Sequence, residues 1–153
     1  MIRLEHVNLV VDEIEPTLDF LKIAFPDWKV RGGGEGIWSG KTRNWIHFGS
    51  EDHYITLNDN AEGDVRDLAG HTPGLAHVGF EVSEVDGLLQ RVSDAGFEPH
   101  SITTDSEYRK SVYYRLPCGI EFEFIAYASD VYKERNEYEH ASAEVSHGVA
   151  ECK

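Results

Sequence analysis

Near the start of the chain, apolar and polar residues alternate with a period of two. Val7, Leu9 and Val11 share one face, and Leu4, His6, Asn8 and Val10 the other. That alternation predicts a strand with one buried side. The spacing then becomes helical, with Ile14, Leu18, Leu21 and Phe25 recurring on one stripe. Pro16 is tolerated in a first helical turn. The same switch comes again later. Val78, Phe80 and Val82 oppose Leu75, His77, Gly79 and Glu81, and Val85, Leu88, Leu89 and Val92 follow at helical spacing. Gly96 is placed to end this second helix.

The two segments are copies. LEHVNLVV from Leu4 and LAHVGFEV from Leu75 align without a gap at an offset of about 71 residues, too long a period and too few copies for a solenoid. Leu4 matches Leu75, His6 matches His77, Val7 matches Val78 and Val11 matches Val82. Downstream, Glu13 matches Glu84, Leu18 matches Leu89 and Ala24 matches Ala95. Three further strands complete each copy: residues 28–31, 45–48 and 54–58 in the first, and 98–102, 111–116 and 120–127 in the second. The RGGGEG stretch from Arg31 and the run from Asp59 to Gly74 read as loops, the latter linking the copies. The expected fold is α+β: one domain over residues 1–128 made of two βαβββ modules, about 2–62 and 73–128. Residues 129–153 read as an appended helix and an acidic tail in which Tyr132, Arg135 and Tyr138 are candidates to dock.

The duplication draws attention to the two histidines. His6 and His77 recur at one place in otherwise divergent strands, each on the more polar face. In the last strand, IEFEFIAY, Ile120, Phe122 and Phe124 form the core side while Glu121 and Glu123 share the other. If the sheets curve around a common cavity, His6, His77 and one of these glutamates converge there. Two imidazoles and a carboxylate suit Fe(II), Mn(II), Ni(II), Co(II) or Zn(II) and leave positions open for water or substrate.

Charge and composition narrow the partners. The net charge of −14 argues against nucleic acid and against an anionic membrane surface. No apolar run approaches the ~18–20 residues that span a bilayer. The first residues lack the marks of a signal peptide, so the cytoplasm is the expected location. Cys118 and Cys152 offer neither a disulfide framework nor a CxxC motif.

LEHVNLVV, LAHVGFEV and YYRLPCGIEFEF together resemble the vicinal oxygen chelate superfamily of glyoxalase I, bleomycin-resistance proteins and extradiol dioxygenases. The resemblance covers roughly residues 2–127. It implies paired βαβββ modules in a half-open curved sheet around a metal that chelates two adjacent substrate oxygens and stabilises developing negative charge. In that family a Pro-x-Gly turn lies four residues before the ligand glutamate. Gly119 then points to Glu123 rather than Glu121, giving His6, His77 and Glu123 as the implied ligands.

Further roles follow from the same resemblance. Glyoxalase I has a second glutamate where this chain has Thr56, a departure from that chemistry. Extradiol dioxygenases have a Tyr at the place of Tyr113 and an acid–base His at the place of His53. The implied function is a divalent-metal enzyme acting on a small oxygenated molecule, dioxygenase-like, with Fe(II) favoured. The alternatives are a glyoxalase-like lyase or isomerase working through an enediolate, and a non-catalytic resistance-type binding protein. Modules of this family often pair between chains, so a homodimer is expected. Position alone adds Thr56, Trp38 and Arg109 as substrate contacts.

Overall fold

A computed structural model describes residues 2–70, 72–116 and 118–137. The first module contains β1 (His6–Val10), α1 (Ile14–Ala24), β2 (Lys29–Trp38), β3 (Lys41–Gly49) and β4 (Tyr54–Asn58). The second contains β5 (His77–Glu81), α2 (Asp86–Asp94), β6 (Ser101–Ser106), β7 (Arg109–Arg115) and β8 (Glu121–Tyr127), followed by α3 (Tyr132–Arg135). Each module forms its own four-stranded sheet, ordered β1-β4-β3-β2 and β5-β8-β7-β6. β1 runs parallel to β4 and β5 parallel to β8, and the remaining pairs are antiparallel. The fold is therefore α+β, built from paired βαβββ modules with open sheets, as the repeat implied.

The stretch from Arg31 to Gly36 is strand, not the expected loop. β2 pairs with β3 as far as Trp38 opposite Lys41. Ser39 and Gly40 both have positive φ (51° and 79°), as a two-residue hairpin turn demands. The glycines have a packing reason. A Cβ on Gly34 would lie 3.6 Å from the Trp45 indole, and one on Gly33 only 2.9 Å from the Trp45 carbonyl oxygen. A strand chosen for its lack of side chains carries no period-two pattern, so its sequence looks like a loop. β6 likewise runs later than expected, from Ser101 rather than residue 98.

One core joins the modules. Phe20 of α1 is fully buried and packs against Phe97, Tyr114, Phe122 and Phe124 of the second module. Trp28 lies between Phe48 of the first sheet and Phe80 of the second. Arg91 of α2 donates to the free carbonyls of Ile23 and Ala24 at the end of α1. Helix α2 closes as Gly96 was expected to close it. Gly96 adopts φ +88°, its N–H reaches the Ser93 carbonyl, and the Phe97 N–H reaches that of Val92. The apolar face of each sheet thus turns toward shared helices and a shared core. By the alternation of strand residues, the faces carrying His6 and His77 turn away from it. Arg135 of α3 docks on Glu81 and over the Tyr127 ring, whereas Tyr132 is exposed. Tyr138 and the acidic tail lie outside the described residues.

Candidate metal centre

On the outward face of the second sheet, His77, Glu123 and Tyr113 come together. β5 and β8 place Gly79 opposite Glu123, and β7 and β8 place Tyr113 opposite it on the other side. Glu123 Oε2 lies over Gly79, where a Cβ would stand 3.6 Å from it, an ordinary contact distance. The same Oε2 lies 3.2 Å from His77 Nε2. Two donors bound to one transition ion at ~2.1 Å stand about 3 Å apart, so this spacing fits a shared metal. The Tyr113 hydroxyl donates to Glu123 Oε1 at 2.7 Å and fixes the carboxylate's orientation. The Glu123 side chain is 14% exposed and that of His77 42%: the carboxylate is held in the wall while the imidazole faces out. Glu121, the other carboxylate on this face, is engaged by Arg115 at 3.4 Å and lies 3.9 Å from His100.

The first sheet presents the equivalent face with different residues. Thr56, flanked by Asn8 and His47, stands where Glu123 stands between Gly79 and Tyr113. His6 stacks on Tyr54 (ring centroids 4.8 Å apart), and its Nδ1 lies 2.8 Å from Glu5 Oε2. His47 is held between Trp45 and Tyr54, 4.7 Å from each ring. Burial, with help from Arg31 and His6, holds the His47 imidazole below the ordinary histidine range, and Glu5 opposes this.

Residues 3–124 match the family model of the glyoxalase/bleomycin resistance protein/dioxygenase superfamily. The chain belongs to this superfamily. Solved structures of similar proteins bear out its fold. A domain of the superfamily from Frankia sp. EAN1pec is 21% identical with TM-score 0.68, the match covering 90% of this chain and 99% of that one. The fosfomycin resistance protein FosX from Listeria monocytogenes, solved with Mn(II) and sulfate, is 21% identical with TM-score 0.61 over 90% of this chain and 100% of that one. A glyoxalase family protein from Bacillus cereus is 17% identical with TM-score 0.69 over 84% and 96%. No curated protein matches the chain.

The superfamily's expected ligands are only partly brought together in one chain. His77 and Glu123 meet, whereas His6 belongs to the other sheet and faces away from the common core. Among the described residues, no group of three or more His, Cys, Asp or Glu side chains converges. The expected common cavity is replaced within the chain by helices, which fill the space between the sheets. His53 stands in an exposed turn, where its Nδ1–H donates to the Leu4 carbonyl at 2.9 Å, at the His6 end of the first sheet and on a different sheet from Tyr113. Thr56 is buried on the outward-facing row. Trp38 ends β2 under the Arg43 guanidinium, and Arg109 begins β7 opposite Tyr127, further along the strand than Tyr113. Sequence reading missed His47, Arg31 and Tyr54. The strand register reveals His47 as the counterpart of Tyr113, but the first hairpin is one residue shorter, which hides the match in a simple offset.

Proposed function

We propose that the protein is a divalent-metal-dependent enzyme acting on a small oxygenated molecule, its ligand set of His6, His77 and Glu123 completed between two copies of the chain. The observation that carries this reading is the His77–Glu123 pair, 3.2 Å apart and braced by Tyr113, on a face turned away from the core. His6 lies on the matching outward face of the first sheet, its side chain 40% exposed. Leu4 and Leu75, each two residues before its histidine, are 69% and 54% exposed on the two faces. An isologous pair of chains that laid the first face of one over the second face of the other would cover these leucines and supply the missing imidazole twice. No helix among the described residues is long and apolar enough to cross a membrane, and we assign the protein to the cytoplasm.

The metal would act as a Lewis acid that polarises substrate oxygens. The chain's own residues do the rest. Glu123 and the two imidazoles bind, and Tyr113 keeps the carboxylate oriented. Thr56 brings a neutral hydroxyl where a glutamate base would stand, which favours the two-histidine, one-glutamate, dioxygenase-like reading with Fe(II) over the glyoxalase-like one. The Mn(II) held by the Listeria relative supports a divalent transition metal in this fold. Elemental analysis of anaerobically purified protein tests the proposal. Wild type should carry about one equivalent per chain, as a three-ligand site predicts, and His77→Ala and Glu123→Ala should carry almost none. Oxygen uptake with catechol-type substrates would support the dioxygenase reading, and turnover without it the lyase reading. Wild type that takes up no Fe(II), Mn(II), Ni(II) or Zn(II) would contradict the proposal and leave a binding protein.

A further inference from the structure

The first sheet's outward face carries a feature that metal binding leaves unused. Building on the proposed shared site, we infer that the open surface at Gly32, beside Arg31 and His47, is its substrate-recognition half and takes an oxyanion, of carboxylate or phosphate type, carried by the substrate.

Three observations converge on this surface. The first is space. Gly32 pairs with His47 across β2 and β3, and a Cβ built on it would meet no atom within 4 Å. Its neighbours Gly34 and Gly36 are covered by the Trp45 indole, so the open floor begins at Gly32, beside His47. The second is an available cation. The Arg31 guanidinium lies 4.5 Å from the Tyr54 ring centroid and makes no ion pair among the described residues. In a chain of net charge −14, several other basic side chains are engaged. Arg3, Lys22, Lys110 and Arg115 meet carboxylates, and Arg66 and Arg91 meet backbone carbonyls. The nearby Glu5 carboxylate is directed to His6.

The third observation is restraint. Tyr54 holds Arg31 from one side, and Trp45 and Tyr54 hold the His47 ring. A planar guanidinium already confined against an aromatic ring loses little freedom when it grips a carboxylate or phosphate through two parallel N–H groups. His47 adds a hydrogen bond from the side. In the second sheet the equivalent row carries Glu123 and Tyr113, already bonded to each other, and the Arg115–His100 pair is met by Glu121.

Calorimetric titration of the full chain, metal-loaded and chelator-treated, with inorganic phosphate, sulfate and acetate tests this assignment, with histidine ring NMR signals as the positional readout. Phosphate or acetate should bind with and without metal and shift the His47 resonances, the stronger of the two showing which group the substrate carries. Arg31→Gln should weaken binding by about 10-fold or more, the scale of a lost charge-assisted pair. Gly32→Val, whose Cβ meets no atom within 4 Å, should weaken it comparably while leaving metal content unchanged. Absence of anion binding in wild type, or affinity indifferent to both substitutions, would overturn the inference even where metal content stands. Anion binding lost in both variants of a protein that takes up no metal would leave the inference intact and remove only the metal reading.

Discussion

The two modules share strand order, register and helix placement, yet their outward faces have diverged where the registers coincide. In the second, the row Gly79–Glu123–Tyr113 places a carboxylate and a hydroxyl to brace it. In the first, the row Asn8–Thr56–His47 has no carboxylate, and Arg31 and Tyr54 lie beside it. Only the histidine that opens each row's first strand is common to both. The duplicated scaffolds have one shape, but one outward face carries a braced carboxylate beside an imidazole and the other carries hydrogen-bonding and cationic side chains; under the proposed function the first of these anchors the metal. The proposed shared site requires the two faces to meet, and each face turns away from the core that the modules share.

The comparison can be broken or sharpened by substitution. The largest effect should come from Phe20→Ala, which removes the wedge that α1 drives into the second module. We expect a loss of ~3–5 kcal/mol, seen in urea unfolding as one transition common to both modules; two separate transitions would show that the modules are independent. Glu123→Gln should reduce metal affinity by ~100-fold or more, while Thr56→Ala at the equivalent place changes it less than about twofold, because a threonine hydroxyl is a poor ligand for these ions. Competition with a chromogenic chelator measures both, and equal losses would erase the distinction between the faces. Tyr113→Phe should cost ~10-fold or more in metal affinity by freeing the carboxylate, with the fold unchanged by circular dichroism. The smallest effect should be that of Tyr114→Phe. The Tyr114 hydroxyl is buried without a hydrogen-bond partner among the described residues, and burial raises its pKa to about 12. Removing it should leave stability unchanged or raise it by up to ~1 kcal/mol.

Much of this was legible in the sequence because alternation and repetition are local signals. Val7, Leu9 and Val11 announced β1, and the match of His6 with His77 announced the duplication; the preference for Glu123 over Glu121 came only from the family resemblance at Gly119. What stayed hidden depends on partners distant in sequence. β2 looks like a loop because its glycines answer to Trp45 on the next strand. His47 looks like any strand histidine until pairing sets it opposite Thr56. The separation of His6 from His77 follows from which faces the helices bury, and two amphipathic sheets packed on a common layer of helices give the same alternation as two sheets wrapped around a cavity.

Mixing two inactive variants tests the shared site most directly. His6→Ala and Glu123→Ala, each purified without metal, are combined, exchanged through mild denaturation, and assayed for bound metal per chain. If the site is shared, about half of the re-formed dimers are mixed and each of these holds one intact site, so the mixture should recover about a quarter of an equivalent per chain. A mixture that recovers no metal, from chains that do exchange, would contradict the account and place all three ligands within one chain or nowhere.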